Sequence, residues 1–320
     1  MTVAFVSHAD AGLHDTGWGH PEHVGRIRAI PRALREDADL LMSLEHVEGR
    51  HATVDELTLA HEAGYTERVR AMAAAGGGRL DQDTVVSAGS WAAATAGAGC
   101  VLDGVDIAMG GRDRRSFAAV RPPGHHALRD AGMGFCLFGN IAIGAHYARR
   151  RHGASRVLIV DWDVHHGNGT QALVQDDPHI RFVSMHQWPW YPGTGAADDR
   201  GPHESIWNVP MPAGRPPAEY VTALFGAVDE ATRDFTPELV LISAGFDSLR
   251  GDPLGGFTLE MEHVDAMTRA LVERAATWCE GRIVSALEGG YIPERLGEAC
   301  VVHLRALAGK EVGGPVPSSR

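Results

Sequence analysis

RVLIVDWDVHHGNGTQ, residues 156–171, decides how the rest of the chain is read. Val157-Leu158-Ile159-Val160 is a short apolar, mostly β-branched run, the pattern of a strand buried on both faces of a parallel sheet. The sequence then turns polar, with Asp161, Asp163, His165 and His166, and meets Gly167 and Gly169. Alternate strand residues point the same way, so Asp161, Asp163 and His165 are expected on one side. Unpaired buried carboxylates are costly, which makes this cluster a poor core. It suits a divalent cation, because open α/β sheets bind ligands beyond the carboxyl ends of their strands. The plain alternative is a strand followed by a solvated turn. That reading suits one Asp or one His better than it suits this cluster.

The chain has 320 residues, 44% hydrophobic and 22% charged, in keeping with one large soluble α/β domain or two smaller ones. No apolar run is read as approaching a membrane span, and the N-terminal apolar stretch is too short for a signal peptide. Four cysteines (Cys100, Cys136, Cys279, Cys300) form no C-x-x-C pair, so a reduced, cytoplasmic protein is expected. The net charge of −12 argues against nucleic-acid or anionic-membrane partners and for cationic substrates. His46, His51 and His152 lie in polar surroundings and are expected at the surface.

Working outward, strands are expected at Val3–Val6, Ser116–Val120, Ile180–His186, Ile206–Pro210, Leu239–Ile242 and Ile283–Leu287. Helices are expected at Ile27–Leu34, Thr53–Leu59 (Thr53 and Glu56 at capping-box spacing), Ser90–Leu102, Ile141–Arg151, Gly169–Val174, Ala218–Arg233, Thr258–Trp278 and Pro293–Leu307. The loop Gly19-His20-Pro21-Glu22-His23 reads as a surface loop, and Gly76-Gly77-Gly78 as a break. The tail from Gly313 reads as disordered. Alternating strands and helices predict a single, doubly wound, mainly parallel α/β domain over residues 1–320, with no internal repeat.

Several of these strands end in chemistry. Arg121-Pro122-Pro123-Gly124 is a rigid turn that can aim His125 and His126 into one cleft. Asp247 follows Leu239–Ile242, and Tyr291 follows Ile283–Leu287. Trp188, Trp190 and Tyr191, in a Pro/Gly loop, read as loop packing or as the apolar rim of a pocket. Asp163, His165 and Asp247 would give three ligands and leave a zinc site open to water. A histidine can move the water's proton, and a tyrosine can donate to the oxyanion. This is equipment for metal-assisted amide hydrolysis.

RPPGHHA (121–127), GFCLF (134–138), VDWDVHHGNGTQ (160–171), YPGTG (191–195), SAGFDS (243–248) and EGGY (288–291) together resemble the histone-deacetylase family, within the arginase/deacetylase fold superfamily. The resemblance implies a parallel sheet of about eight strands flanked by helices. It implies zinc, or iron(II), on Asp163, His165 and Asp247. His126 would be the general base and acid, with His125 its electrostatic partner and Asp161 and Asn168 orienting the pair. Tyr291 would stabilise the oxyanion. A potassium ion is implied near the carbonyls of Asp161, Asp163, His165 and Met185 and the hydroxyl of Ser184. Phe135, with Gly134 beside it, and Tyr191 would line an acetyl-lysine tunnel, and Asp83 would sit at its rim. Arg26 stands between two readings, the lining of an inner acetate-release channel and a salt-bridged surface arginine. Asn168 and Glu288 are class II-like. Gly139 stands where the family commonly has Asn, a change expected to touch packing beside the tunnel.

The implied activity is zinc-dependent removal of acetyl groups from acetyl-lysine peptides or proteins, or from related N-acetylated amines. An acetylpolyamine deacetylase is a competing reading. Such relatives place Glu where this chain has Leu254, which favours acetyl-lysine or a less charged substrate, while Asp252 and the overall acidity leave polyamines open. A non-catalytic acetyl-lysine-binding protein is a third, opposed by the presence of His126 and Tyr291. A two-manganese ureohydrolase would need D-x-H-x-D rather than the D-x-D-x-H-H found here. The sequence leaves the oligomeric state open, a homo-oligomer included.

Overall fold

A computed structural model describes residues 2–111 and 114–311. The strands are β1 (Val3–Ser7), β2 (Leu44–Glu48), β3 (Gly77–Arg79), β4 (Val85–Ser87), β5 (Arg115–Ala119), β6 (Val157–Asp161), β7 (Ile180–Gln187), β8 (Ile206–Met211), β9 (Leu239–Ala244) and β10 (Ile283–Leu287). The helices are α1 (Gly25–Arg35), α2 (Ala38–Ser43), α3 (Val54–Leu57), α4 (Ala63–Ala74), α5 (Ser90–Gly110), α6 (Asn140–His152), α7 (Asn168–Val174), α8 (Pro217–Ala231), α9 (Met261–Cys279) and α10 (Pro293–Leu307). Eight strands form one sheet in the order β2-β1-β5-β10-β9-β6-β7-β8, and every pairing in it is parallel. β3 and β4 form a separate antiparallel hairpin.

Every residue of β5, β6, β9 and β10 is buried. Their continuous apolar runs follow from this, because helices cover both faces of a parallel sheet. These four strands are neighbours in space although not in sequence. Their carboxyl ends therefore open onto one place at the middle of the sheet. The strand order reverses around them, which is where open α/β sheets bind ligands.

The structure corrects the sequence reading in several places. β2 was not expected, because an edge strand with exposed Glu45, His46 and Glu48 lacks an apolar run. Helices α2 and α4 and the hairpin β3–β4 were missed as well, and Gly77 and Gly78 begin that hairpin. α5 continues eight residues past Leu102, so the expectation that no stretch approaches a membrane span was too strong. At 21 residues and a mean hydropathy of 1.3, α5 has the length and composition for one. It instead packs inside the protein against β1, β5 and α6, which accounts for its small residues. His46 and His51 are exposed and His152 is partly exposed, as expected. The tail from Gly313 lies outside the described residues.

Candidate active site

β6 ends at Asp161, and the chain beyond it is a run of side-chain-capped turns. Asp163 N–H donates to Asp161 Oδ1 at 3.0 Å, and His165 N–H donates to Asp163 Oδ1 at 2.9 Å. The three side chains are therefore gathered by the loop and not by strand alternation. Asp247, beyond β9, joins them and accepts from Val164 N–H at 2.9 Å. One ligating atom each from Asp163, His165 and Asp247 lies within 4.8 Å of the others, and all three residues are buried. His165 Nδ1 stands 3.0 Å from Asp163 Oδ1 and 3.3 Å from Asp247 Oδ2. Despite that proximity, Asp247 Oδ2 has no hydrogen bond of proper geometry.

The donor set fits a divalent metal. Burial opposes charge on His165, but the two carboxylates outweigh it and hold the imidazole up to about 10. Burial and the neighbouring Asp163 push Asp247 up to about 7. Two buried carboxylates and an imidazole demand positive charge at their meeting point, and two oxygens with one nitrogen suit zinc or iron(II). Gly289 is required here, because a Cβ would collide with both carboxylates.

His125 and His126 are buried beside this cluster, with ring centroids 4.0 Å apart and opposite electrostatics. His125 Nδ1 is 3.0 Å from Asp161 Oδ2. Burial disfavours its charge, yet Asp163 and Asp161 hold its pKa well above the ordinary value. His126 Nδ1 is 2.7 Å from Asn168 Oδ1, while Asn168 Nδ2 faces Met133 Sδ at 3.4 Å. The amide oxygen thus faces the ring, so Nδ1–H donates and Nε2 is left as an acceptor. Burial, then His125 and His165, hold His126 well below its ordinary pKa.

Tyr291 closes the centre from β10. Burial raises its phenol well above the ordinary value, so it stays a donor. Its ring lies 5.8 Å from Phe135 and 4.9 Å below the Arg26 guanidinium. A cavity of about 210 Å³ leads inward past Asp83, Phe135, Trp190, Tyr191, Pro253 and Leu254 to Gly134, His126, His165 and Tyr291. Gly134 has a φ of 55° and Phe135 a φ of 67°. A side chain at 134 would run into the His126 ring, so glycine there keeps the tunnel and the histidine together.

Most residues singled out in the sequence meet here. Ser184 on β7 is directly opposite Asp161 on β6, with Met185 next to it. Of the two readings of Arg26, the surface one falls. Arg26 is fully buried and not at the surface, with Nη1 3.1 Å from Glu22 Oε1 and Nε donating to Gly290 O at 2.6 Å. Nη2 also donates to Glu288 O. The loop 19–23 is corrected with it, because Glu22 is fully buried between Arg26 and Arg121. Gly139 is likewise not beside the tunnel. It precedes α6 and faces His61 and Leu173.

Three supporting residues were missed or left without a role. Glu288 Oε2 accepts from Gly124 and His125 N–H at 2.7 and 3.1 Å, bracing the histidine turn. Asp252 Oδ2 accepts from Tyr291 N–H at 2.8 Å, and its Oδ1 accepts from Leu254 N–H at 2.9 Å. Glu22 is the third. Its only signal in the sequence was an acid among Arg26 and Arg121, far apart along the chain.

Fold and centre together place the chain in the arginase/deacetylase class of α/β proteins. The family described as "Histone deacetylase domain" matches residues 20–307. The chain is 39% identical to a probable deacetylase of Methanothermobacter thermautotrophicus, over 92% of this chain and 87% of that one. It is 37% identical to a histone deacetylase-like amidohydrolase of Pseudomonas aeruginosa, covering 85% and 73%. The crystal structure of the HDA15 HD domain superimposes with a TM-score of 0.90 at 33% identity, over 97% of this chain and 90% of that one. The chain belongs to the histone deacetylase family.

Proposed function

We propose that this protein is a metal-dependent deacetylase that hydrolyses the amide of N-acetylated lysine side chains in peptides or of related linear N-acetylated amines. One observation carries the reading. The buried Asp163-His165-Asp247 cluster, the acceptor nitrogen of His126 and the hydroxyl-bearing Tyr291 belong to one centre at the foot of a narrow aromatic cavity. A zinc or iron(II) ion on that cluster would supply Lewis-acid polarisation of the amide carbonyl and acidify a water.

The chain's own residues do the rest. Phe135 and Tyr191 hold a linear acyl-amine between aromatic faces and keep bulk water out. His126, neutral and with Nδ1–H tied to Asn168, receives the proton of the attacking water on Nε2. It then returns that proton to the departing amine. His125, held charged by Asp161 and Asp163, opposes protonation of His126 and so favours its return. Tyr291 donates its O–H to the carbonyl oxygen as negative charge develops there. The carbonyls of Asp161, Asp163, His165 and Met185 and the hydroxyl of Ser184 would hold a potassium ion. That ion would stabilise the turns that carry the ligands.

The acetyl-lysine reading is favoured over acetylpolyamines by Leu254, which places an apolar side chain at the mouth. The test is steady-state hydrolysis of a panel of acetyl-lysine peptides and N-acetylated polyamines, with and without a hydroxamate. Acetyl-lysine turnover that the hydroxamate abolishes is expected. Absence of turnover on every member by metal-replete protein would refute a catalytic role and leave acetyl-lysine binding.

A further inference from the structure

The sheet carries a second group of ligating side chains at the carboxyl ends of its outer strands. β1 and β2 run side by side, with Ser7 opposite Glu48. The chain leaving β1 places His8 and Asp10, and the chain leaving β2 places His51. Asp10 Oδ2 is 3.1 Å from His51 Nε2 and 3.8 Å from His8 Nδ1. The two imidazoles meet edge to face with centroids 4.7 Å apart. One ligating atom from each of the three residues lies within 4.8 Å of the other two.

Hydrogen bonding fixes which nitrogens are bare. Thr95, on α5, donates its hydroxyl to Trp91 O at 2.9 Å, so its oxygen accepts from His51 Nδ1, 2.8 Å away. Neutral His51 therefore carries its proton on Nδ1 and turns the Nε2 lone pair toward the Asp10 carboxylate. This is the outer hydrogen bond that commonly orients a metal-ligating imidazole. His8 Nδ1 accepts from Asp10 N–H at 3.1 Å and is unprotonated as well. Three acceptor atoms thus converge. A proton on His51 Nε2 would pair that ring with Asp10 alone, while His8 Nδ1 keeps the Asp10 N–H as its partner. A metal ion at their meeting point can take all three as ligands in place of these contacts.

We infer that His8, Asp10 and His51 form a second, peripheral metal site for a borderline first-row divalent ion such as zinc. Two imidazoles and one carboxylate are a donor set zinc accepts, whereas magnesium and calcium take oxygen ligands. Water completes the coordination, because His51 is exposed and His8 borders an open groove. Asp10 N–H gives up His8 Nδ1 on binding, and water in the groove replaces it. The ion ties the turn Ala9–Leu13 to the segment after β2 and, through Thr95, to α5. That turn feeds the loop whose His20 packs 4.8 Å from Phe135 of the cavity. The site touches no substrate and is independent of the deacetylase reading.

Equilibrium dialysis of the full-length protein against low-micromolar free zinc, with metal counted by elemental analysis, tests this. Two zinc ions per chain are expected in the unaltered protein and one in His8→Ala or His51→Ala. Asp247→Ala should keep the peripheral ion, and Asp247→Ala with His51→Ala should hold none. Copper(II) bound to Asp247→Ala should show nitrogen hyperfine coupling by electron paramagnetic resonance, weakened in the His8→Ala background. An unaltered protein that takes up only one ion per chain overturns the site, as does a second ion indifferent to both histidine substitutions.

Discussion

Leu254→Glu probes the substrate reading most directly. Leu254 is half-buried in the cavity wall. Its N–H is held by Asp252 Oδ1, and its carbonyl accepts from Trp190 Nε1 at 2.8 Å. Asp252 separately anchors Tyr291 N–H, so a new side chain at 254 changes the mouth without shifting the tyrosine. An acetylpolyamine carries a second ammonium beyond the cleaved amide. Beside an apolar residue that charge must stay hydrated or be desolvated at a cost. A carboxylate would attract it. A buried charged hydrogen bond contributes about 1.5–3 kcal/mol and an exposed ion pair about 0–1 kcal/mol. A half-buried position lies between, at roughly 1–2 kcal/mol, or about five- to thirtyfold in kcat/KM. Asp83 lines the same mouth and would share the attraction. The assay measures kcat/KM in parallel on an N-acetylated polyamine and an acetyl-lysine peptide. The ratio should move at least about fivefold toward the polyamine. An unchanged ratio would refute the electrostatic argument, as would an unaltered enzyme that already strongly prefers acetylpolyamines.

Three further outcomes are expected. Tyr291→Phe should keep its place against Phe135 and Arg26, retain bound metal and lose about 10²–10³ in kcat on both substrate types, the scale of one oxyanion donor. Kinetics alongside metal analysis checks this, and a near-normal kcat would remove the tyrosine from the mechanism. Asp247→Ala should lose the central ion and activity together, and a variant holding a full central complement would disprove the ligand assignment. Acid should destabilise the fold. Burial holds His14, His61 and His186 down to about 4 and His303 to about 3, below the unfolded value of 6.5. The unfolded chain therefore binds the extra protons, and stability present above pH 6.5 is lost as the pH falls toward 4, by about 1.4 kcal/mol per pH unit for each histidine. Asp247 and Glu288, both raised to about 7, oppose this slope. Urea unfolding at several pH values measures the balance, and a free energy that does not fall between pH 6.5 and 5 would contradict it.

The sequence by itself determined the central strands, the Asp163 and His165 pair and the adjacent histidines, and the physical reason is local. Strands buried on both faces must be continuously apolar, so the polar residues that end them stand out, as Asp161 does after Val157–Val160. Candidate ligands clustered in one loop, such as Asp163 and His165, are legible for the same reason. Only the tertiary structure decided what depends on strand order. β5, β10, β9 and β6 are adjacent in the sheet and far apart in the chain, so the meeting of His126, Tyr291, Asp247 and Asp163 is a product of topology. The burial of Arg26 and Glu22 is another such case. A charged pair in a Gly-rich stretch reads as surface, because burying charge is costly unless partners are present. Those partners, Arg121 and the carbonyls of Glu288 and Gly290, follow β5 and β10, which lie beyond β1 in the sheet and about a hundred or more residues away in sequence. Asp252 reads in the sequence only as an acid beside Leu254; its joining of the mouth at Leu254 to the backbone of Tyr291 is a contact that exists only once β9 and β10 lie side by side.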